Sequence, residues 1–160
     1  MEHDHSPEGP LARTPLFSRH QALKARIVPF AGFEMPVQYE GVIEEHRAVR
    51  TAAGIFDVSH MGEFEVRGRD AGAFLDHITP TRISALPEMR AGYSALLTER
   101  GTFVDDILAY RLAADRFLLV VNAANCAKDW EWVNRSKGRF DVVLENRSSS
   151  TALIAIQGPL

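Results

Sequence analysis

The chain has 160 residues, 46% hydrophobic and 24% charged, which is typical of one folded domain or slightly more. Its net charge of −3 disfavours a nucleic-acid-binding protein that relies on a basic field, and no apolar run is long enough to cross a bilayer. The single cysteine, Cys126, excludes an internal disulfide and favours a reducing compartment such as the cytoplasm. The acidic N-terminus has neither the apolar core of a secretory signal nor the arginines of a transit peptide.

The N-terminal part of the chain is predicted to change from a disordered tail to folded structure at Thr14. Residues 1–13 are polar, contain two prolines and a glycine, and show no periodicity. A short helix is expected over residues 18–26. Residues 27–37 are predicted to be extended, because their two prolines are incompatible with a helix.

The next segment is predicted to contain a helix, a loop and a strand. Residues 40–53 have apolar residues at helical spacing and are followed by Gly54, a residue type favoured just after a helix. His46 lies on the apolar face, where we expect a hydrogen-bonded core histidine rather than a ligand. Residues 55–62 are predicted to form a loop, and the strict alternation of residues 63–67 predicts a half-exposed strand.

A second helix is expected after Asp70, which is its predicted N-cap. Its apolar stripe follows the i, i+3, i+4, i+7 spacing and consists of Ala71, Phe74, Leu75 and Ile78. Residues 90–97 then form a strand, and a polar turn with Gly101 at positive φ joins it to the strand that starts at Phe103. These two strands predict an antiparallel hairpin.

The remaining chain supplies a second turn, three more strands and one helix. These are predicted, in order, over residues 111–116 (turn), 117–122 (strand), 127–133 (helix), 140–144 (strand) and 151–156 (strand). The first of the three strands is continuously apolar and is therefore expected to be buried. Helices that interrupt a predominantly antiparallel sheet predict the α+β class.

Two adjacent aspartates lie in the strand that follows the polar turn. Side chains alternate between the faces of a strand, so Asp105 and Asp106 enter opposite apolar layers. A carboxylate there is costly unless it is paired, hydrogen-bonded or used in function. The residues alone favour a structural explanation, in which both lie at a fraying strand end or cap backbone amides. They do not distinguish one aspartate from the other.

Other polar residues are weaker candidates for function. Asn122 ends the buried strand with an amide that can donate and accept. Cys126 lies near a helix start, where a thiolate is favoured, but inert packing is the better interpretation without an assigned base. His60 alone is a weak acid/base candidate. The chain has no dinucleotide-binding fingerprint, phosphate-binding loop, nucleophile elbow or zinc-protease motif.

Six blocks of sequence allow a more specific interpretation. They are, in this order, Thr14–Phe17, Phe30–Val37, Gly54–Gly62, Val104–Asp106, Val120–Asn125 and Ala155–Pro159. In these blocks the chain resembles the N-terminal part of the T protein of the glycine cleavage system, an aminomethyltransferase. The resemblance implies transfer of a one-carbon unit from the aminomethyl-lipoyl H protein to tetrahydrofolate, with release of ammonia. It places the protein in glycine catabolism and one-carbon metabolism.

The resemblance also selects the expected site residues. Asp106 matches the family's essential aspartate, which faces the folate ring nitrogens, so it is the expected catalytic and folate-binding carboxylate. Met61, Tyr93, Val120 and Asn122 match residues that line the folate pocket. Without the resemblance, core packing would be the favoured role of Met61, Tyr93 and Val120. The expected partners are lipoylated H protein and tetrahydrofolate, with no metal, nucleic acid or membrane.

The chain departs from the family in two ways. Thr102 stands after Gly101 where the family usually has a second glycine. Family members are also considerably longer, so we expect residues 14–160 to be an incomplete folate-binding domain, from a shortened product or reading frame. By itself this piece is expected to be inactive, to bind folate weakly or not at all, and to self-associate through unpaired strands.

Two alternative hypotheses come from related proteins. One is a non-catalytic folate-binding module, like the relatives that assist the maintenance of iron–sulfur enzymes. The intact blocks around His60 and Asp106 favour the enzyme over that module. The other is the folate domain of a dimethylglycine or sarcosine oxidase, which the absence of a dinucleotide fingerprint before Thr14 disfavours.

Overall fold

A computed structural model describes residues 9–160, which form antiparallel sheets flanked by helices and confirm the predicted α+β class. Two compact units are present: the first comprises the described residues up to His60 with Ala152–Leu160, and the second comprises Met61–Thr151. The elements, in chain order, are α1 (Phe17–Ala22), β1 (Arg26–Phe30), β2 (Phe33–Gln38), α2 (Val42–Thr51), β3 (Gly54–Asp57), β4 (Gly62–Arg67), α3 (Ala71–Ile78), β5 (Arg90–Leu97), β6 (Phe103–Ala113), β7 (Arg116–Val121), α4 (Cys126–Ser136), β8 (Val143–Asn146) and β9 (Ile154–Gln157).

The first unit contains two small antiparallel sheets, β1–β2 and β3–β9. A buried polar cluster stabilises it: Asp57 Oδ2 accepts from Thr14 Oγ1 at 2.6 Å and lies 2.8 Å from His20 Nε2. Burial raises the pKa of Asp57, but hydrogen bonds from Thr14, His20 and Ser59 outweigh it and hold the pKa below its ordinary value. This carboxylate therefore ties the start of the folded chain to β3.

The second unit is built on a five-stranded antiparallel sheet with the order β5-β6-β7-β4-β8. Its core lies on one face of the sheet, where α3 and α4 contribute apolar side chains. The largest fully buried side chains there are Phe64, Phe74 and Phe117. The other face of the sheet carries Tyr93, Asp106 and Glu63.

Several local predictions are confirmed in the second unit. All four residues of the predicted apolar stripe of α3 are buried. Strands β5 and β6 form the predicted hairpin, with Gly101 at a φ of +74°. Thr102, the departure from the family pattern, is accommodated because its Oγ1 lies 2.7 Å from Thr98 Oγ1. Strand β7 is buried, as predicted, and is paired with β4 on one side and β6 on the other.

The loop predicted over residues 55–62 is confirmed only at residues 58–61. Gly54 opens β3 rather than ending the preceding helix, so residues 55–57 belong to β3, and Gly62 begins β4. The reason is that β3 pairs with β9, about 100 residues later in the chain, which no local pattern reveals. Ile55 and Ile156, which pair directly, remain 73% and 74% exposed.

Two predictions about side-chain environment are also wrong. α2 buries none of its residues, so His46 is exposed instead of lying in the core. Strand β4 is covered on both faces, so Glu63 and Glu65 are buried instead of half-exposed. Glu65 is compensated there by Arg116 at 2.9 Å and Arg147 at 3.0 Å.

Asp70 occupies the N-cap position of α3 but does not cap it through its side chain. Its carboxylate accepts instead from the backbone N–H of Asp141 at 2.9 Å. At the N-terminus, the backbone of Ala12 pairs with the strand region at Phe33, so ordered chain begins before the predicted boundary at Thr14. The earlier part of the predicted tail, residues 1–8, lies outside the described residues.

Element boundaries differ from the sequence predictions at several places. α1 is shorter than residues 18–26 and ends before β1 begins. The predicted turn over residues 111–116 is confined to the two residues between β6 and β7. The last two strands, β8 and β9, each lie about three residues later than predicted.

Candidate functional site

The register of the sheet brings the predicted site residues onto one face of the second unit. Directly paired residues of antiparallel strands share a face. One row of pairs runs Tyr93, Leu108, Val120 and Glu63 across β5, β6, β7 and β4. Asp106, two residues before Leu108, lies on the same face in the next row. We call the face that carries Tyr93, Asp106, Val120 and Glu63 the Asp106 face.

Asp106 is the centre of a hydrogen-bonded cluster at the exposed part of this face. Tyr93, on the neighbouring strand, donates its hydroxyl to Asp106 Oδ2. Asn122 Nδ2 donates to Asp106 Oδ1 at 2.9 Å. The hydrogen bond from Tyr93, with that from Asn122, lowers the pKa of Asp106 below its ordinary value. The cluster therefore presents an ionised carboxylate at neutral pH.

Tyr93 contributes an aromatic surface as well as a hydroxyl. Tyr93 is 68% exposed and lies on β5, the edge strand next to β6. The hydrogen bond to Asp106 raises the pKa of the Tyr93 hydroxyl, which is therefore a stable donor. Its accessible ring can pack against a flat ligand next to the carboxylate.

The other two predicted residues lie on the same side of the sheet. Val120 is buried and pairs directly with Leu108, so it lies in the row of paired residues next to that of Asp106. Met61 immediately precedes β4, and continuing the β4–β7 register by one residue places it opposite Asn122. The structure thus gathers all five predicted site residues at one end of the Asp106 face.

Asp105 points to the opposite side and has different partners. Asn122 Nδ2 reaches its two carboxylate oxygens at 3.2 and 3.1 Å, and Asn125 Nδ2 donates to Oδ1 at 2.9 Å. Both aspartates are paired within the β5–β6 ladder, Asp105 with Leu96 and Asp106 with Ala95. They therefore do not lie at a fraying strand end, and the expected division between the two faces is correct.

Sequence reasoning missed Glu63 as a member of the Asp106 face. Its side chain is fully buried, and neither carboxylate oxygen has a hydrogen-bond partner among the described residues. Burial raises the pKa of Glu63 to about 7. The sequence signal for this burial was the continuous apolar run of β7. Such a run indicates a strand buried on both faces, and its neighbour β4 is then buried on both faces as well.

A second missed residue is Asp129 on α4, behind the Asp106 face. It is fully buried, and burial together with the adjacent Asp105 raises its pKa to about 7. Asp129 has helical spacing to Cys126 and Val133, so it lies on the apolar stripe of the helix. That spacing is the signal that could have identified it.

The contacts of His60 and Cys126 do not support a catalytic role for either residue. Burial lowers the pKa of His60, whose ring contacts Phe30 edge-on at 5.5 Å in the first unit. Burial raises the pKa of Cys126, so this side chain is a neutral thiol, consistent with inert packing. Within residues 9–160, no cluster of three or more His, Cys, Asp or Glu side chains is arranged to hold a metal ion.

Comparison with known proteins identifies relatives along almost the whole chain. The family model described as the GCVT N-terminal domain matches residues 16–160. The aminomethyltransferase of Chloroherpeton thalassium is 54% identical over 146 residues, covering 91% of this chain and 40% of that protein. The aminomethyltransferase of Thermotoga maritima is 48% identical over 149 residues, with 93% and 41% covered.

A solved structure shows the same fold. The crystal structure of glycine cleavage system aminomethyltransferase T from Bartonella henselae has a TM-score of 0.86 and 37% sequence identity. The match covers 93% of this chain and 41% of that one. The chain thus spans about 40% of the length of the curated relatives that it matches. No helix among the described residues has the length and apolarity needed to cross a membrane.

Proposed function

Because the chain belongs to the GCVT N-terminal domain family, we propose that the protein containing it is an aminomethyltransferase of the glycine cleavage system. It transfers the one-carbon unit from the aminomethyl-lipoyl H protein to tetrahydrofolate and releases ammonia. The observation that supports this most directly is the hydrogen-bonded cluster of Tyr93, Asp106 and Asn122 at the exposed part of the Asp106 face. Its proposed setting is the one-carbon metabolism of the cytoplasm.

Asp106 supplies the negative charge that this transfer requires. The migrating carbon exchanges its bonds to the lipoyl sulfur and to the amino nitrogen, which leaves as ammonia, for bonds to two folate nitrogens, and positive charge develops on the carbon during each exchange. A carboxylate whose pKa is lowered stays ionised and stabilises that charge electrostatically. Because Tyr93 and Asn122 each hold one of its two oxygens, the carboxylate is also fixed in position before the substrate arrives.

The neighbouring residues fit the shape of a folate ring system. A pterin is flat, with apolar faces and polar edges. The exposed ring of Tyr93 offers a stacking surface, and the apolar side chains of Met61 and Val120 lie on the same side of the sheet. The N–H groups of Asn122 donate to the two aspartates. Its carbonyl oxygen can accept a hydrogen bond from an N–H group at the edge of the pterin.

Reconstitution tests this function against the alternative of a folate-binding module. The protein containing the chain is mixed with aminomethyl-loaded H protein and tetrahydrofolate, and ammonia and methylenetetrahydrofolate are measured. The proposal predicts stoichiometric formation of both. Folate binding without consumption of the loaded H protein would instead support the non-catalytic module.

A further inference from the structure

A groove of about 530 Å³ lies in the second unit, between the turn that joins β5 to β6 and the last turns of α4. This volume is within the range of small-molecule binding sites. The side chains that line the groove include the hydrogen-bond donors Arg100, Thr102, Trp132, Arg135 and Ser136. The proposed transferase function uses none of these residues, so the groove requires an explanation of its own.

The charge balance of this groove favours an anion. Arg100 and Arg135 each contribute a fixed positive charge. None of the ion pairs formed among residues 9–160 involves either guanidinium. The opposing elements are the carboxylate of Glu99 and the C-terminal end of α4, which carries about half of an elementary negative charge. The groove therefore keeps a net positive charge, although the whole chain carries −3.

Arg135 is held in place by Trp132, three residues earlier on α4. Its Cζ atom lies 4.7 Å from the centre of the Trp132 ring, so the ring contacts the flat face of the guanidinium. The N–H donors of a guanidinium lie in its plane, and stacking leaves them free to bind an oxyanion. The indole N–H of Trp132 is itself buried and has no acceptor among the described residues. An oxyanion that enters beside Arg135 supplies the acceptor that this donor lacks.

The turn adds a hydroxyl donor whose availability follows from its neighbours. Thr98 Oγ1 accepts from the backbone N–H groups of Arg100 at 3.3 Å and Thr102 at 3.2 Å, which occupies both of its lone pairs. The hydrogen of the Thr98 hydroxyl therefore points to Thr102 Oγ1, 2.7 Å away. The hydroxyl hydrogen of Thr102 is then free to donate into the groove. Thr102 stands where the family usually has a glycine, so this donor is a feature of this chain.

We propose that this groove binds a small molecule through an oxyanion group, either a phosphate or a carboxylate. The guanidiniums of Arg100 and Arg135 hold the charge, and each can donate two parallel hydrogen bonds to such a group. The indole N–H of Trp132 and the hydroxyl of Thr102 donate to its remaining oxygens. The volume of about 530 Å³ leaves room for an organic part of the same ligand. This site is independent of the proposed transferase function.

The first test follows the indole N–H signals by nuclear magnetic resonance in the ¹⁵N-labelled protein containing the chain. Inorganic phosphate and glutarate are titrated separately at constant ionic strength, and Trp132→Phe identifies the signal of Trp132. We expect this signal to shift saturably with at least one probe, while that of Trp130, which packs against Phe64, stays in place. Tighter binding of phosphate assigns a phosphorylated ligand, and tighter binding of glutarate assigns a carboxylated one. No saturable shift with either probe would overturn the proposal.

The second test separates a specific site from general surface charge. Arg100→Gln and Arg135→Gln change exposed side chains and should each weaken binding of the preferred probe by roughly tenfold. Thr102→Val keeps the shape of the side chain and should weaken binding by a smaller factor, whereas Glu99→Gln removes the opposing charge and should tighten it. Arg90→Gln, at the opposite end of β5, is the control and should bind like the wild type. Equal weakening by Arg90→Gln, or unchanged binding by Arg135→Gln, would contradict the proposed site.

Discussion

The amide nitrogen of Asn122 lies 2.9 Å from Asp106 Oδ1, so the end of β7 is fastened to the carboxylate of β6. Tyr93 holds the second oxygen of that carboxylate from β5. Three neighbouring strands therefore converge on one charged group.

We predict that Tyr93 contributes to folate affinity more than to bond making. Its ring is 68% exposed. In the proposed function this ring stacks on the pterin in both the ground state and the transition state, so Tyr93→Ala should raise KM more than it lowers kcat. Tyr93→Phe keeps the ring and removes only the donor to Asp106, so its KM should stay closer to that of the wild type. Steady-state kinetics with varied tetrahydrofolate measure both variants, and Asn122→Ala should follow Tyr93→Ala. A large fall in kcat at constant KM would refute this role.

Glu63 should make the stability of the second unit depend on pH. The pKa of Glu63 is about 7 in the folded protein against an ordinary value of 4.5, so the folded state binds the extra proton. The associated stability is fully present below about pH 4.5 and is lost as the pH rises through 7, by about 3 kcal/mol in total. Because Gln does not titrate, Glu63→Gln should lose about 3 kcal/mol less than the wild type over this range, while the loss that comes from Asp129, whose pKa is also raised to about 7, remains.

The measurement is urea unfolding of the chain between pH 5 and 8, followed by the fluorescence of Trp130 and Trp132, which both lie on α4. Glu99→Gln, at an exposed turn, is the control and should keep the wild-type pH dependence. Parallel curves for wild type and Glu63→Gln would show that Glu63 is not the titrating group.

Gly62 should tolerate no side chain, because β4 approaches α4 closely at this position. A Cβ there would lie 2.6 Å from Cys126 Sγ and 2.7 Å from a methyl group of Val121. Gly62→Ala should therefore lower the free energy of unfolding by about 1–3 kcal/mol. Adding Cys126→Ala removes one of the two clashes and should restore part of the loss in the same denaturation assay. Full stability of the single variant would mean that the strand and helix separate easily.

The parts of the fold that the sequence predicts correctly depend on local patterns. The stripe of α3 and the turn at Gly101 are specified by residues within a few positions of one another. The division of Asp105 and Asp106 between two faces follows from strand alternation alone. Selecting Asp106 over Asp105 required the family resemblance, and the structure adds that only Asp106 accepts from Tyr93.

The parts that the sequence does not predict depend on distant residues. β3 forms because β9 pairs with it. Glu63 is buried because its strand, β4, pairs with the buried strand β7. His46 has the spacing of a core residue, but α2 leaves its apolar stripe exposed. Asp129 has an apolar spacing but an ionisable side chain, and its complete burial depends on tertiary packing that no local pattern reveals.

The most direct test of the account is aminomethyl transfer by Asp106→Asn in the protein containing this chain. The substitution keeps the size of the side chain and removes the charge that the transition state requires. We predict that turnover with H protein and tetrahydrofolate is abolished while circular dichroism and thermal unfolding stay close to the wild type. Asp105→Asn, the matched change on the opposite face, should affect stability more than turnover. Near-normal turnover by Asp106→Asn, or the reverse pattern between the two variants, would contradict the central claim.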